Sequence, residues 1–109
     1  MNKSHNSFPK EAWLIFQDAW RCFYCDMNTA DSLHHIVGRG NGDSIVESSI
    51  LNSAPLCNQK CHLPNHGKLR TDEWVAKLLN TTYLYLVSIR YEFEEIDHQF
   101  MEKYKRFYI

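Results

Sequence analysis

Two closely spaced cysteine pairs constrain this chain more than any other feature. Cys22-Phe23-Tyr24-Cys25 has two residues between its thiols, and Cys57-Asn58-Gln59-Lys60-Cys61 has three. A tight turn can present two thiolates from one segment, and a distant second pair can then close a tetrahedral zinc shell with Zn–S bonds of ~2.3 Å. The chain has 109 residues and no apolar leader after Met1-Asn2-Lys3-Ser4-His5-Asn6. No apolar run approaches the ~20 residues that span a bilayer. The expected compartment is therefore the cytoplasm, where thiol buffers keep cysteines reduced, and paired cysteines there read as metal ligands. Free buried cysteines or a redox pair are the alternative.

A chain this short rarely divides its apolar residues between two cores, so one domain, 1–109, is expected. Its 44% apolar and 14% aromatic residues suffice to fill one core. Trp13, Phe16 and Trp20, after Ser7-Phe8-Pro9, predict an N-terminal helix over about residues 8–21. Residues 22–70 hold all four cysteines, all four glycines and four of the six histidines, which concentrates the chemistry there. Thr71, followed by Asp72 and Glu73, predicts a helix start running towards Leu79, with Asn80-Thr81-Thr82 as its interruption. From Tyr83 to Phe107, the residues Leu86, Ile89, Phe93, Ile96, Phe100, Tyr104 and Phe107 recur at three- and four-residue steps. They predict one long amphipathic helix, which either covers the metal-centred module or pairs two copies as a homodimer.

Between the cysteine pairs lies Leu33-His34-His35-Ile36-Val37, a short apolar segment that reads as a strand. Adjacent strand side chains face opposite sides, so one histidine can meet a metal while its neighbour is directed elsewhere. Asn52 follows, then His62 directly after Cys61, and His66 four residues on. His62 and His66 would share the face of a continuous helix, which Pro64 and Gly67 oppose.

These residues resemble the HNH endonuclease family in its zinc-finger-containing form. That family carries a Cys-x2-Cys pair, an Asp-His or His-His pair followed by Ile, a central Asn and a Leu-Cys-x2-Cys-His ending. The resemblance spans about residues 22–66, with His34-His35-Ile36, Asn52 and the run from Leu56-Cys57 to Cys61-His62 filling the elements. It implies an α+β fold: a small ββα-metal, treble-clef-like core stapled by zinc on Cys22, Cys25, Cys57 and Cys61. It further implies metal-dependent hydrolysis of DNA phosphodiesters, with His35 as general base and Asn52 positioning the loop and the base. His34 and His62 would hold a divalent ion (Mg²⁺, Mn²⁺, Ni²⁺ or Zn²⁺), with His66 as a third candidate ligand.

The chemistry agrees with those roles. An imidazole of pKa ~6.5 can take a proton from water at neutral pH, and a cation stabilises both the crowded phosphate and the departing 3′ oxygen. Two features depart from the family pattern: the extra residue in the second cysteine pair, and the long polar stretch from Gly38 to Ser49. Arg39 in that stretch, with Lys68 and Arg70, are candidate phosphate contacts, although surface loops carry such charges without a partner. The net charge of -1 counts against a tight nonspecific DNA binder but not against an enzyme with a few contacts beside a bound cation. The expected partner is DNA, either duplex or branched or nicked, with no membrane. Phage and mobile-element settings, where compact members of the family occur, are the expected context. The rivals are a noncatalytic zinc module that binds nucleic acid or protein, which has no need of the His34-His35 pair, Asn52 and His62, and an RNase using the same chemistry.

Overall fold

A computed structural model describes residues 12–16, 21–38 and 44–109. Of the expected N-terminal helix, Ala12–Ile15 forms helix α1. Trp20 and Arg39 lie outside the described residues. Phe16 stacks on Tyr85 with centroids 5.6 Å apart, and the Tyr85 hydroxyl donates to Ile15 O at 2.8 Å, which fastens α1 to the C-terminal half.

The predicted histidine strand is present as β1 (Ser32–His35). Helix α2 (Ser44–Ser48) and a 3₁₀ turn (Ile50–Asn52) lead from it towards strand β2 (Ser53–Leu56). The strands pair antiparallel in the register Ser32↔Leu56, Leu33↔Pro55, His34↔Ala54 and His35↔Ser53. Pro55 has no N–H for a ladder. Its carbonyl accepts Phe23 N–H at 2.9 Å, tying the first cysteine turn to the sheet. All of β2 is buried, and Thr82 Oγ1 donates to Ser53 O at 2.8 Å from the helix packed against it. Leu33, Ile36, Ile50, Leu51, Leu56, Leu69, Leu78, Leu79, Leu86 and Phe100 fill the core. The result is a small α+β protein, as the sequence predicts at that level.

Two helix expectations are corrected. Helix α3 (Asp72–Ser88) starts after Thr71 as predicted, with Asp72 and Glu73 in its first turn, but it runs unbroken through Asn80-Thr81-Thr82. Asn80 Nδ2 and Thr81 Oγ1 donate to the carbonyls of Ala76 and Lys77, each at 2.8 Å. Bonding back four residues satisfies these side chains without breaking the helix.

The single long helix to Phe107 is also absent: α3 ends at Ser88 and a separate helix, α4, spans Glu95–Lys103. Arg90 has φ of 60°, and its N–H donates to Val87 O at 3.0 Å while Tyr91 N–H donates to Leu86 O at 2.9 Å. This is a Schellman ending with arginine where glycine is usual. The new helix is then started by a local capping box of Glu94 and Asp97, which Ser49 braces from far along the chain. Buried Asp97 accepts Glu94 N–H at 2.8 Å and Ser49 Oγ–H at 2.8 Å. Apolar residues three and four apart continue across the bend, so their periodicity carries no sign of it. Because a left-handed backbone costs a non-glycine residue ~1–2 kcal/mol and glycine loses part of that gain through unfolded-state freedom, Arg90→Gly is expected to stabilise by up to about 1 kcal/mol. The check is a raised urea midpoint at unchanged slope; a lowered midpoint would mean the arginine side chain supports the bend.

Among the described residues, no helix is long and apolar enough to cross a membrane.

Candidate metal centres

The first cysteine turn is closed by its own backbone. Cys22 N–H donates to Asn28 O at 2.9 Å, Asp26 N–H donates to Cys22 O at 2.8 Å, and Asp26 takes the left-handed conformation (φ 54°) that Asp tolerates better than most residues. Tyr24 N–H points at Cys22 Sγ at 3.3 Å. The second pair arrives at the end of β2, and the four sulfurs lie within 4.8 Å of one another. Cys25 Sγ and Cys57 Sγ are 3.8 Å apart. That is far from a disulfide bond of ~2.05 Å and matches the ~3.8 Å edge of a tetrahedron with ~2.3 Å Zn–S bonds. All four thiols are free. The cluster can hold a zinc ion, as the spacing predicts.

The thiols differ in their surroundings. Burial opposes the Cys25 thiolate, yet the amides of Asn28 and Met27 and the thiols of Cys61 and Cys22 outweigh it and bring its pKa down to about 6. Burial pushes Cys22 and Cys61 up. Asn28 Nδ2 lies 3.6 Å from Cys25 Sγ and 3.8 Å from Cys57 Sγ, so one amide group serves both pairs.

The extra residue of the second pair is taken up by a π turn over Asn58–His62. His62 N–H donates to Cys57 O at 3.0 Å and Leu63 N–H to Asn58 O at 2.9 Å, both five residues back. A π turn holds one more residue than an α turn, so the insertion is confined to the knuckle. His62 Nε2 consequently lies 3.2 Å from Nδ1 of His34, which is 1% exposed. The two rings are in hydrogen-bond contact at this distance, which is also the ~3.0–3.4 Å separation of two nitrogens bound to one ion at ~2.1 Å. His34 Nε2 is buried with no hydrogen-bond partner among the described residues. His66 sits on the exposed rim, its ring centroid 6.2 Å from that of His34 and 5.9 Å from that of His62. The chain turns through 63–67 before a 3₁₀ turn at Lys68–Arg70, so no continuous helix joins His62 to His66.

His35 ends β1 and is half-buried. Arg70 Nη1 donates to His35 O at 2.8 Å and to Ile36 O at 3.3 Å, so part of this guanidinium holds the strand end. Asn52 is 1% exposed; its Oδ1 accepts Val37 N–H at 2.6 Å, and its Nδ2 donates to Val37 O at 3.1 Å and Val46 O at 2.8 Å. It thus joins both flanks of the polar stretch in which Arg39 lies. Lys68 is exposed, its ammonium 5.8 Å from the Tyr24 and Trp74 ring centroids. Sequence reasoning missed Asn58, whose side chain accompanies His62; its place directly after Cys57 was the available signal.

Burial, together with the charges of His62, Arg70, His66 and His35, holds the His34 pKa down to about 3. The unfolded chain would take this proton near pH 6.5, so between those values it binds more protons than the folded chain, and stability falls as pH falls. Between pH 6.5 and 5 the loss from this group is roughly 1.5 kcal/mol. Urea unfolding of the zinc-saturated protein should therefore show a steeper decline with acidification than His34→Gln. Equal slopes would place the sensitive group elsewhere.

The fold and its cysteines define a small α+β protein with a four-cysteine cluster that can hold a zinc ion. No family model, no curated protein and no solved structure matches this chain.

Proposed function

We propose that this protein is a compact HNH-type endonuclease that hydrolyses DNA phosphodiester bonds, using His35 as general base and a divalent ion held by His34 and His62, with His66 at the rim. The observation that carries this reading is the approach of His34 Nδ1 to His62 Nε2 at 3.2 Å, beside a four-cysteine cluster that needs neither residue. When bound, the ion would supply Lewis-acid stabilisation of the phosphate and of the departing 3′ oxygen. His35 takes the proton of the attacking water, for which an imidazole is suited at neutral pH. Arg70 holds the backbone of His35 through its carbonyl, and Asn52 fixes the next turn of chain through Val37. On this reading the two strands β1 and β2 and the π turn carrying His62 would take the place of the ββα-metal core that the resemblance implies. Lys68, and the donors of Arg70 that are not spent on the strand end, are the phosphate contacts within the described residues.

A noncatalytic zinc module accounts for the cysteines, but it gives no role to the buried His34 ring whose Nδ1 meets His62 Nε2 at 3.2 Å. The test is nicking of supercoiled plasmid by the zinc-loaded protein with added Mg²⁺, Mn²⁺ or Ni²⁺. Metal-dependent relaxed circles with 5′-phosphate ends are expected. Failure on duplex, single-stranded and branched DNA and on RNA would sink the enzyme reading; cleavage of RNA alone would change the substrate.

A further inference from the structure

The second histidine of the proposed ion site has its tautomer fixed by groups that no sequence pattern marked. We infer that Asn58, together with Ser32, is a positioning residue that keeps the proton of His62 on Nδ1 and so directs the Nε2 lone pair at the ion; this rests on the histidine site proposed above.

Two contacts to His62 Nδ1 carry the inference: Asn58 Oδ1 at 3.1 Å and Ser32 Oγ at 3.3 Å. The Ser32 hydroxyl spends its proton on Leu56 O, at 3.0 Å. A hydroxyl has a single proton to donate, so towards His62 it can only accept, and an amide oxygen only accepts as well. Two acceptors face one ring nitrogen. That nitrogen must therefore carry the hydrogen, and in the neutral ring the lone pair falls on Nε2, the atom 3.2 Å from His34 Nδ1. A ligating imidazole is commonly oriented through its other nitrogen in this way.

Asn58 is itself held in place. Its N–H donates to Asp31 Oδ1 at 2.8 Å, and it opens the π turn directly after Cys57. The residue that aims His62 is thus the neighbour of a thiol in the four-cysteine cluster, and the enlarged knuckle supplies a metal ligand and the group that orients a different ligand.

The experiment titrates Ni²⁺ onto zinc-loaded protein by calorimetry and reads the His62 tautomer from imidazole ¹⁵N shifts. Asn58→Ala combined with Ser32→Ala is expected to weaken Ni²⁺ binding about 10- to 100-fold, to mix the His62 tautomers, and to leave the zinc content intact. Asn58→Asp in place of Asn58→Ala, which keeps an acceptor at the same place, should restore both readings. Wild-type-like Ni²⁺ binding and tautomer in the variant lacking both Asn58 and Ser32 side chains would overturn the inference while leaving the ion site standing. A wild type that takes up no second ion would remove the ion site itself, and the assigned role of Asn58 with it.

Discussion

Cys57→Ser is expected to abolish stoichiometric zinc binding and to leave the chain without a cooperative thermal transition at 25 °C and above. Structural zinc contributes on the order of 10 kcal/mol to the folding of small domains, against total stabilities of about 5–15 kcal/mol. Few small cores survive that loss. Serine is nearly the size of cysteine and keeps the backbone turn, so the effect isolates the thiolate. Cys57 O keeps the amides of both Cys61 and His62 after the change, so what is lost is the sulfur that sits 3.8 Å from Cys25 Sγ in the facing turn. Zinc content by atomic absorption, read alongside far-ultraviolet circular dichroism on heating, decides the matter. One retained equivalent of zinc and an unchanged melt would mean that the cluster does not support the fold.

His35→Ala should do the reverse: nicking falls by about 10²- to 10⁴-fold, the range associated with a lost general base, while zinc content and the thermal midpoint stay close to wild type. The side chain is half-buried at the last position of β1. The strand end is gripped through main-chain carbonyls by Arg70, and those bonds survive truncation of the imidazole. A matched fall in zinc and stability would assign His35 to the structural shell instead. Retained nicking by a folded variant would move the base to another residue.

What could be read in advance was local. The cysteine spacings foretold a converging cluster because each pair needs only its own turn, and Leu33-His34-His35-Ile36 foretold a strand because alternation is a property of neighbours. The start of α3 was legible at Thr71 for the same reason. Long-range effects were not. Asn80, Thr81 and Thr82 look like an interruption until their side chains are seen bonding to Ala76, Lys77 and Ser53. The break at Arg90 depends on a left-handed residue that is not glycine, and the Glu94–Asp97 capping box that starts α4, local in itself, is braced by Ser49 from far along the chain. Asn58 was passed over because its partner is a ring nitrogen, and its service there follows from a proton already committed between Ser32 and Leu56.

The Asn52 side chain grips Val37 and Val46 together, and this separates inheritance from chemistry. The chain between those two residues is shut off at its base, so additions there meet only the slowly growing entropy of a longer loop, and none of the strain need reach His35. Under the proposed function, that stretch is free to change in length or in charge, and with it the target, while the residues assigned to hydrolysis stay as they are.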